Sequence, residues 1–223
     1  MTRSEPEVVE LDVAEAPDAW AGAGFTVDDD ATCRIGGVRV RLVGPGPRAG
    51  VVAWSLRHLP DDAAADLDGL ATRRDDRPAA APADHPNGVC RIDHMVLLTD
   101  DLDRTAGAAA TIGLIERRRR DHHLPGRDPM VQAFYRVGEV ILEVVGPAQV
   151  PADPRDGVTS FGLALVADDL AASAAALGDH LSPARPAVQP GRQIATIRHR
   201  DLGLRTPLAL MTPRPPRAPS TPG

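Results

Sequence analysis

Lysine is missing from this chain, and all 25 of its Lys/Arg residues are arginine. That absence excludes a Schiff-base or lysine-nucleophile mechanism. Aromatic residues make up only 3% of the sequence, so a core must be filled by Ala, Val, Leu and Ile. The two cysteines, Cys33 and Cys90, fit neither a metal-binding spacing nor a disulfide framework; they read as ordinary thiols of a cytoplasmic protein. No apolar run approaches the length of a membrane span. The acidic opening MTRSEPEVVELD lacks the basic segment and apolar stretch of a secretory signal, so the expected location is the cytoplasm. A glycine-rich phosphate loop, a nucleophile elbow and a redox cysteine pair are also missing, which leaves the substrate unread.

What is present describes a soluble globular protein, with 43% hydrophobic and 25% charged residues over 223 positions. The formal charge of −6 weighs against nucleic acid or an anionic membrane as partner. A small molecule is the expected partner. Residues 73–86, RRDDRPAAAPADHP, lack helical or strand periodicity and read as a linker. The tail TPRPPRAPSTPG from Thr212 reads as disordered. The expected organisation is an N-terminal region at 6–73, a linker at 74–88, a domain at 89–212 and a tail at 213–223.

Internal repetition is the most informative feature. RIGGVRVRLVGP at 34–45 matches RVGEVILEVVGP at 136–147, and GVVAWSLRHLPDDAAA from Gly50 matches GVTSFGLALVADDLAA from Gly157. The blocks follow in the same order. RIDHMVLLTDDLDR from Arg91 in turn resembles SFGLALVADDLAAS from Ser160. Each is an apolar run ending at an aspartate pair able to start a helix. After Asp100 the helical spacing of Leu102, Ala106 and Ala109 predicts a helix stopping at Gly113. After Asp168, Leu170, Ala174 and Leu177 predict another ending at Gly178. Asp61-Asp62 occupies the same place in the N-terminal copy and predicts a helix start there too.

Strands are predicted at 130–137 and 140–145, joined by the two-residue turn Gly138-Glu139. That register sets Val137 opposite Val140, Arg136 opposite Ile141, Phe134 opposite Glu143 and Gln132 opposite Val145. One face (131, 133, 135, 137, 140, 142, 144) is then apolar and fit to cover a helix. The other, with Gln132, Phe134, Arg136, Ile141, Glu143 and Val145, suits a pocket wall. The predicted class is α+β: repeated βαβββ modules forming curled mixed sheets, with a degenerate N-terminal module added. The 6–73 region reads as one further module plus the strand and helix of another. Trp54 and Phe161, at matched repeat positions, both read as core.

IDHMVLLTDDLDR, VGEVILEVVGP, FGLALVADDL and LGLRTPLALM, in this order, resemble the vicinal-oxygen-chelate superfamily of glyoxalase, dioxygenase and bleomycin-resistance proteins. The resemblance covers 90–212 well and 6–73 more weakly. It implies paired modules curled around a divalent metal, with ligands from the first and last strands of each module. On this chain those ligands would be His94 and Glu143, chemically suited to Zn²⁺, Ni²⁺, Fe²⁺ or Mn²⁺. The second module departs from the pattern, with Gly162 at the place of His94 and Ala209 at that of Glu143. In the N-terminal copy Arg41 stands where Glu143 does, and Ser55 where Gly162 does.

Two readings follow from the resemblance. One is a metal-dependent lyase or isomerase chelating neighbouring substrate oxygens, with His94 as ligand, Glu143 as ligand or catalytic base, and Gln132, Phe134 and Arg136 contacting substrate. The other is a metal-free protein of the bleomycin-resistance type that binds a drug or metabolite. A homodimer pairing two copies of the 91–146 module would bring together two His and two Glu. His122 and His123, in a neighbouring polar loop, are further candidate donors. The run Arg117–Arg120 reads either as a solvated strand edge or as an anion-attracting rim.

Overall fold

The computed structural model describes residues 4–122, 126 and 128–215. Sequence alternation and apolar runs become two mixed sheets with few helices.

The first sheet is built from β1 (Glu7–Val13), β2 (Thr32–Ile35), β3 (Val38–Leu42), β4 (Val51–Arg57), β5 (Asp66–Leu67) and β6 (Leu70–Arg74), in the order β2-β3-β1-β4-β6-β5. A short helix, α1 (Pro17–Gly22), follows β1. The second sheet contains β7 (Val89–Leu98), β8 (Glu116–His122), β9 (Met130–Val137), β10 (Val140–Pro147), β11 (Thr159–Ala167), β12 (Arg185–Pro186), β13 (Gln193–Thr196) and β14 (Leu208–Met211). Its order is β12-β13-β14-β11-β7-β10-β9-β8. Helix α2 (Leu102–Thr111) follows β7, and α3 (Leu170–Leu177) follows β11.

The βαβββ module is therefore present twice in the second sheet. In each copy the first strand sits centrally and pairs in parallel with the last, β7 with β10 and β11 with β14. The two central strands, β7 and β11, pair antiparallel within the chain. The second aspartate of each pair caps its helix: Asp101 accepts from the backbone N–H of Asp103 and Arg104, and Asp169 from those of Ala171 and Ala172. Such a cap is worth about 1 kcal/mol.

The predicted hairpin register is observed at every pair, with Val137 opposite Val140 and Phe134 opposite Glu143. Gly138 carries the positive φ of +72° that the first turn position demands. Its apolar face is buried, with Leu142 and Val144 fully so; burying each such side chain contributes about 1.5–3 kcal/mol.

Two expectations fail, the first of them in the N-terminal repeat. No helix starts at Asp61-Asp62: the residues form a turn, and the chain runs through a further turn into the short β5–β6 hairpin. This module has lost its helix, and α2 lies against β5 in its stead. Arg104 Nε donates to Asp68 at 3.0 Å, and Thr105 Oγ1 donates to the same carboxylate at 2.5 Å. One apolar cluster consequently runs through both sheets.

The second failure is Phe161. Trp54 is buried and donates to Thr72 Oγ1 at 2.7 Å, but Phe161 is 52% exposed. A register shift between Ser160 and Gly162 leaves Phe161 outside the pairing with β7. A bulge of this kind turns a side chain out of its face.

Segment 75–88 has no helix or strand but runs against the first sheet. Ala80 and Ala83 donate backbone bonds to Gly37 and Arg34, and buried Asn87 donates to the Ala23 carbonyl at 2.9 Å. Glu15 fastens the sheets to each other. Its buried carboxylate accepts from the backbone N–H of Arg205 and Thr206 and from Thr206 Oγ1. Of the tail, 216–223 lies outside the described residues, as does His123. Both thiols are free, and burial pushes Cys33 up to about 12. Among the described residues no helix is long and apolar enough to cross a membrane.

Candidate functional site

The mixed face of the β9–β10 hairpin forms one wall of a cavity of about 520 Å³, with β7 and β8 beside it. The loop before β13 and the segment at Arg214-Pro215 complete the lining. His94, Phe134, Arg136, Ile141 and Glu143 all face this space. Gln132 is buried behind it and is not part of the lining.

Parallel pairing sets His94 beside Ile141 and Val96 beside Glu143. His94 and Glu143 therefore lie on one face, one strand apart. Glu143 is held by Gln132, whose Nε2 donates to Oε1 at 2.7 Å. Gln132 Oε1 in turn accepts from Arg120 Nε at 2.6 Å. Burial pushes the Glu143 carboxyl above its ordinary value, against the opposing pull of His94, Arg120 and His122.

His94 is oriented from the other side. Its Nδ1 donates to Asp93 Oδ2 at 2.8 Å, leaving Nε2 outside that bond. Asp93 is buried and also accepts from Arg192 Nη1 at 2.8 Å. Burial alone would raise the Asp93 carboxyl, but the bond from His94 and the charge of Arg192 hold it below its ordinary value. Sequence inspection missed both Asp93 and Arg192. Asp93 carried a signal, as a charged residue within an apolar strand; Arg192 lies in a loop with none.

The donor set does not fit the closed metal centre that the resemblance implies. Among the described residues no group of three or more His, Cys, Asp or Glu side chains is placed to hold an ion. Across the β7–β11 pair, Ala164 stands opposite His94 and Gly162 opposite Val96. A Cβ on Gly162 would fall 2.3 Å from the Pro207 carbonyl oxygen. Backbone thus occupies the position where the second module would carry a ligand. Ala209, paired with Ala164, offers no donor either.

The equivalent face of the first sheet is closed by ion pairs. Glu10 takes the place of His94, and Arg41, beside Asp12, that of Glu143. Buried Asp12 receives Arg41 at 2.7 Å and Arg73 at 2.8 Å, while Arg77 bridges Glu10 and Asp75. Despite burial, these partners hold Asp12 below its ordinary value. This face is satisfied internally, whereas the second sheet opens onto a cavity.

The fold is that of the vicinal-oxygen-chelate superfamily. A triple mutant of 4-hydroxymandelate synthase from Streptomyces coelicolor superposes with a TM-score of 0.60 at 12% identity, over 96% of this chain and 94% of that one. BphC, a halotolerant catechol dioxygenase, matches with a TM-score of 0.52 at 12% identity, over 92% and 86% of the two chains. A fusion of a xylose isomerase-like TIM barrel with 4-hydroxyphenylpyruvate dioxygenase matches with a TM-score of 0.57 at 12% identity, over 98% of this chain and 50% of that one. These matches span both sheets. No family model matches the sequence, and no curated protein matches it.

Proposed function

We propose that this chain binds a small molecule in the cavity over His94 and Glu143, and that the site works without a resident divalent metal. The observation carrying this reading is the closure of the second module's ligand position by the Pro207 carbonyl at Gly162. Two protein donors remain where a facial triad needs three. Those two are already committed on one side each, to Asp93 and to Gln132. His94 Nε2 and the Glu143 carboxyl are hydrogen-bonding groups for a ligand, and Phe134, Ile141 and Arg136 are its walls.

The metal-dependent lyase or isomerase reading draws on His122, which is near enough to pull on Glu143. The same experiment separates the two. The protein is purified, supplemented in turn with Zn²⁺, Ni²⁺, Fe²⁺ and Mn²⁺, dialysed and assayed for bound metal and melting temperature. Substoichiometric metal and an unchanged melting temperature are expected. One equivalent of metal, lost in His94→Ala, would establish the metal-dependent reading instead.

A further inference from the structure

The cavity reverses the charge of the protein around it. The chain carries a formal −6, yet Arg117, Arg118, Arg120, Arg136, Arg192 and Arg214 all line this one space, with Glu143 the lone carboxylate of the lining among the described residues. Arg117 is paired with Glu5 and Arg192 with Asp93, and Arg214 lies 3.9 Å from Asp93. Among the described residues no carboxylate lies within ion-pair distance of Arg118, Arg120 or Arg136.

Their placement follows from the hairpin. Arg118 pairs across from Phe134 and Arg120 from Gln132, so the side chains of alternate residues in the arginine run share the cavity face. Arg120 is held in place, with its Nε on Gln132 and its guanidinium 5.0 Å from the Phe134 ring centroid. Arg192 is 1% exposed, and its Nη2 finds no hydrogen-bond acceptor among the described residues. A buried, unpartnered guanidinium N–H is costly unless something accepts from it.

We infer that the ligand of this cavity is an anion, a carboxylate or phosphate ester gripped by Arg118, Arg120 and Arg136 while its remainder lies over His94 and Glu143. Guanidinium forks suit either group, since both offer paired oxygens to paired N–H donors. This inference rests on the cavity being the binding site, and it adds the chemistry of what binds.

Calorimetric titration of the intact protein tests it with four probes: phenyl phosphate, benzoate, and their uncharged counterparts benzyl alcohol and benzamide. At least one anion is expected to bind at least about tenfold more tightly than its counterpart. Its affinity should fall as NaCl rises from about 20 to about 200 mM. The triple variant Arg118→Gln/Arg120→Gln/Arg136→Gln should lose at least about tenfold, while exposed Arg185→Gln on β12, outside the cavity, should lose nothing. Melting curves establish that each variant is folded. Which of the two anions binds decides between carboxylate and phosphate.

Equal affinity for charged and uncharged probes would overturn the inference, as would unchanged anion binding in the triple variant, or no binding of either anion. Uncharged probes that bind and are lost in His94→Ala would overturn the anion and leave the cavity reading standing. Anion binding that appears only with added Zn²⁺ would uphold the anion and overturn the metal-free site.

Discussion

Gln132 Nε2 donates to Glu143 Oε1 at 2.7 Å across a hairpin in which neither residue is the other's register partner. The contact is diagonal, since Gln132 stands opposite Val145 and Glu143 opposite Phe134. It explains how a carboxyl is tolerated within an otherwise apolar strand. It also gives Glu143 a pH signature. A carboxyl raised in the folded state binds its proton more tightly there than when unfolded, so the stability linked to it is full below the ordinary value of 4.5 and declines as pH rises above it. Glu143→Gln removes that decline. The variant should match the native protein near pH 4 and melt a few degrees higher at pH 7.5, as melting curves across the range will show.

The Asp93–Arg192 pair has the opposite sign. Asp93 is held below its ordinary value of 3.8, so its contribution is present above that value and is lost as pH falls through the depressed one. Both side chains are almost fully buried, and removing one partner leaves the other charge unpaired. Asp93→Asn should cost about 3–5 kcal/mol near neutral pH, and should flatten the acid limb of the stability curve in denaturant titrations.

Gly162 separates a missing ligand from a closed position. If Pro207 backbone occupies the space, even Gly162→Ala must displace it, at a cost of about 1–3 kcal/mol in unfolding free energy. Gly162→His should then fail to create a metal site. A gain of Zn²⁺ binding in that variant would show that the position is open.

Trp54 and Phe161 occupy matched positions of the repeat but should respond differently. Trp54→Ala deletes a buried side chain with a hydrogen bond to Thr72 and should cost about 3–5 kcal/mol. Phe161→Ser alters an exposed side chain and should shift stability by no more than about 0.5 kcal/mol. Denaturant midpoints at unchanged slope will show the contrast.

The sequence by itself determined the module repeat, the hairpin register around Gly138 and the shared face of Phe134, Arg136 and Glu143, whereas His94 was singled out only by the family resemblance. These follow from period-two alternation, turn chemistry and aspartate caps, each a relation among near neighbours in the chain. Only the tertiary structure decided which aspartate pair starts a helix. Asp61-Asp62 matches Asp168-Asp169 in sequence, but α2 arrives from a later module to cover β5. It likewise decided that Phe161 leaves the core, because a bulge is a relation between two strands. Two further outcomes joined distant segments. Arg192 reaches Asp93 from a loop 99 residues later, and Arg120 of the edge strand β8 reaches Gln132 beside Glu143, while Arg117, Arg118 and Arg119 stay exposed. Charge pairing and backbone closure of this kind depend on which strands become neighbours, and local pattern does not encode that.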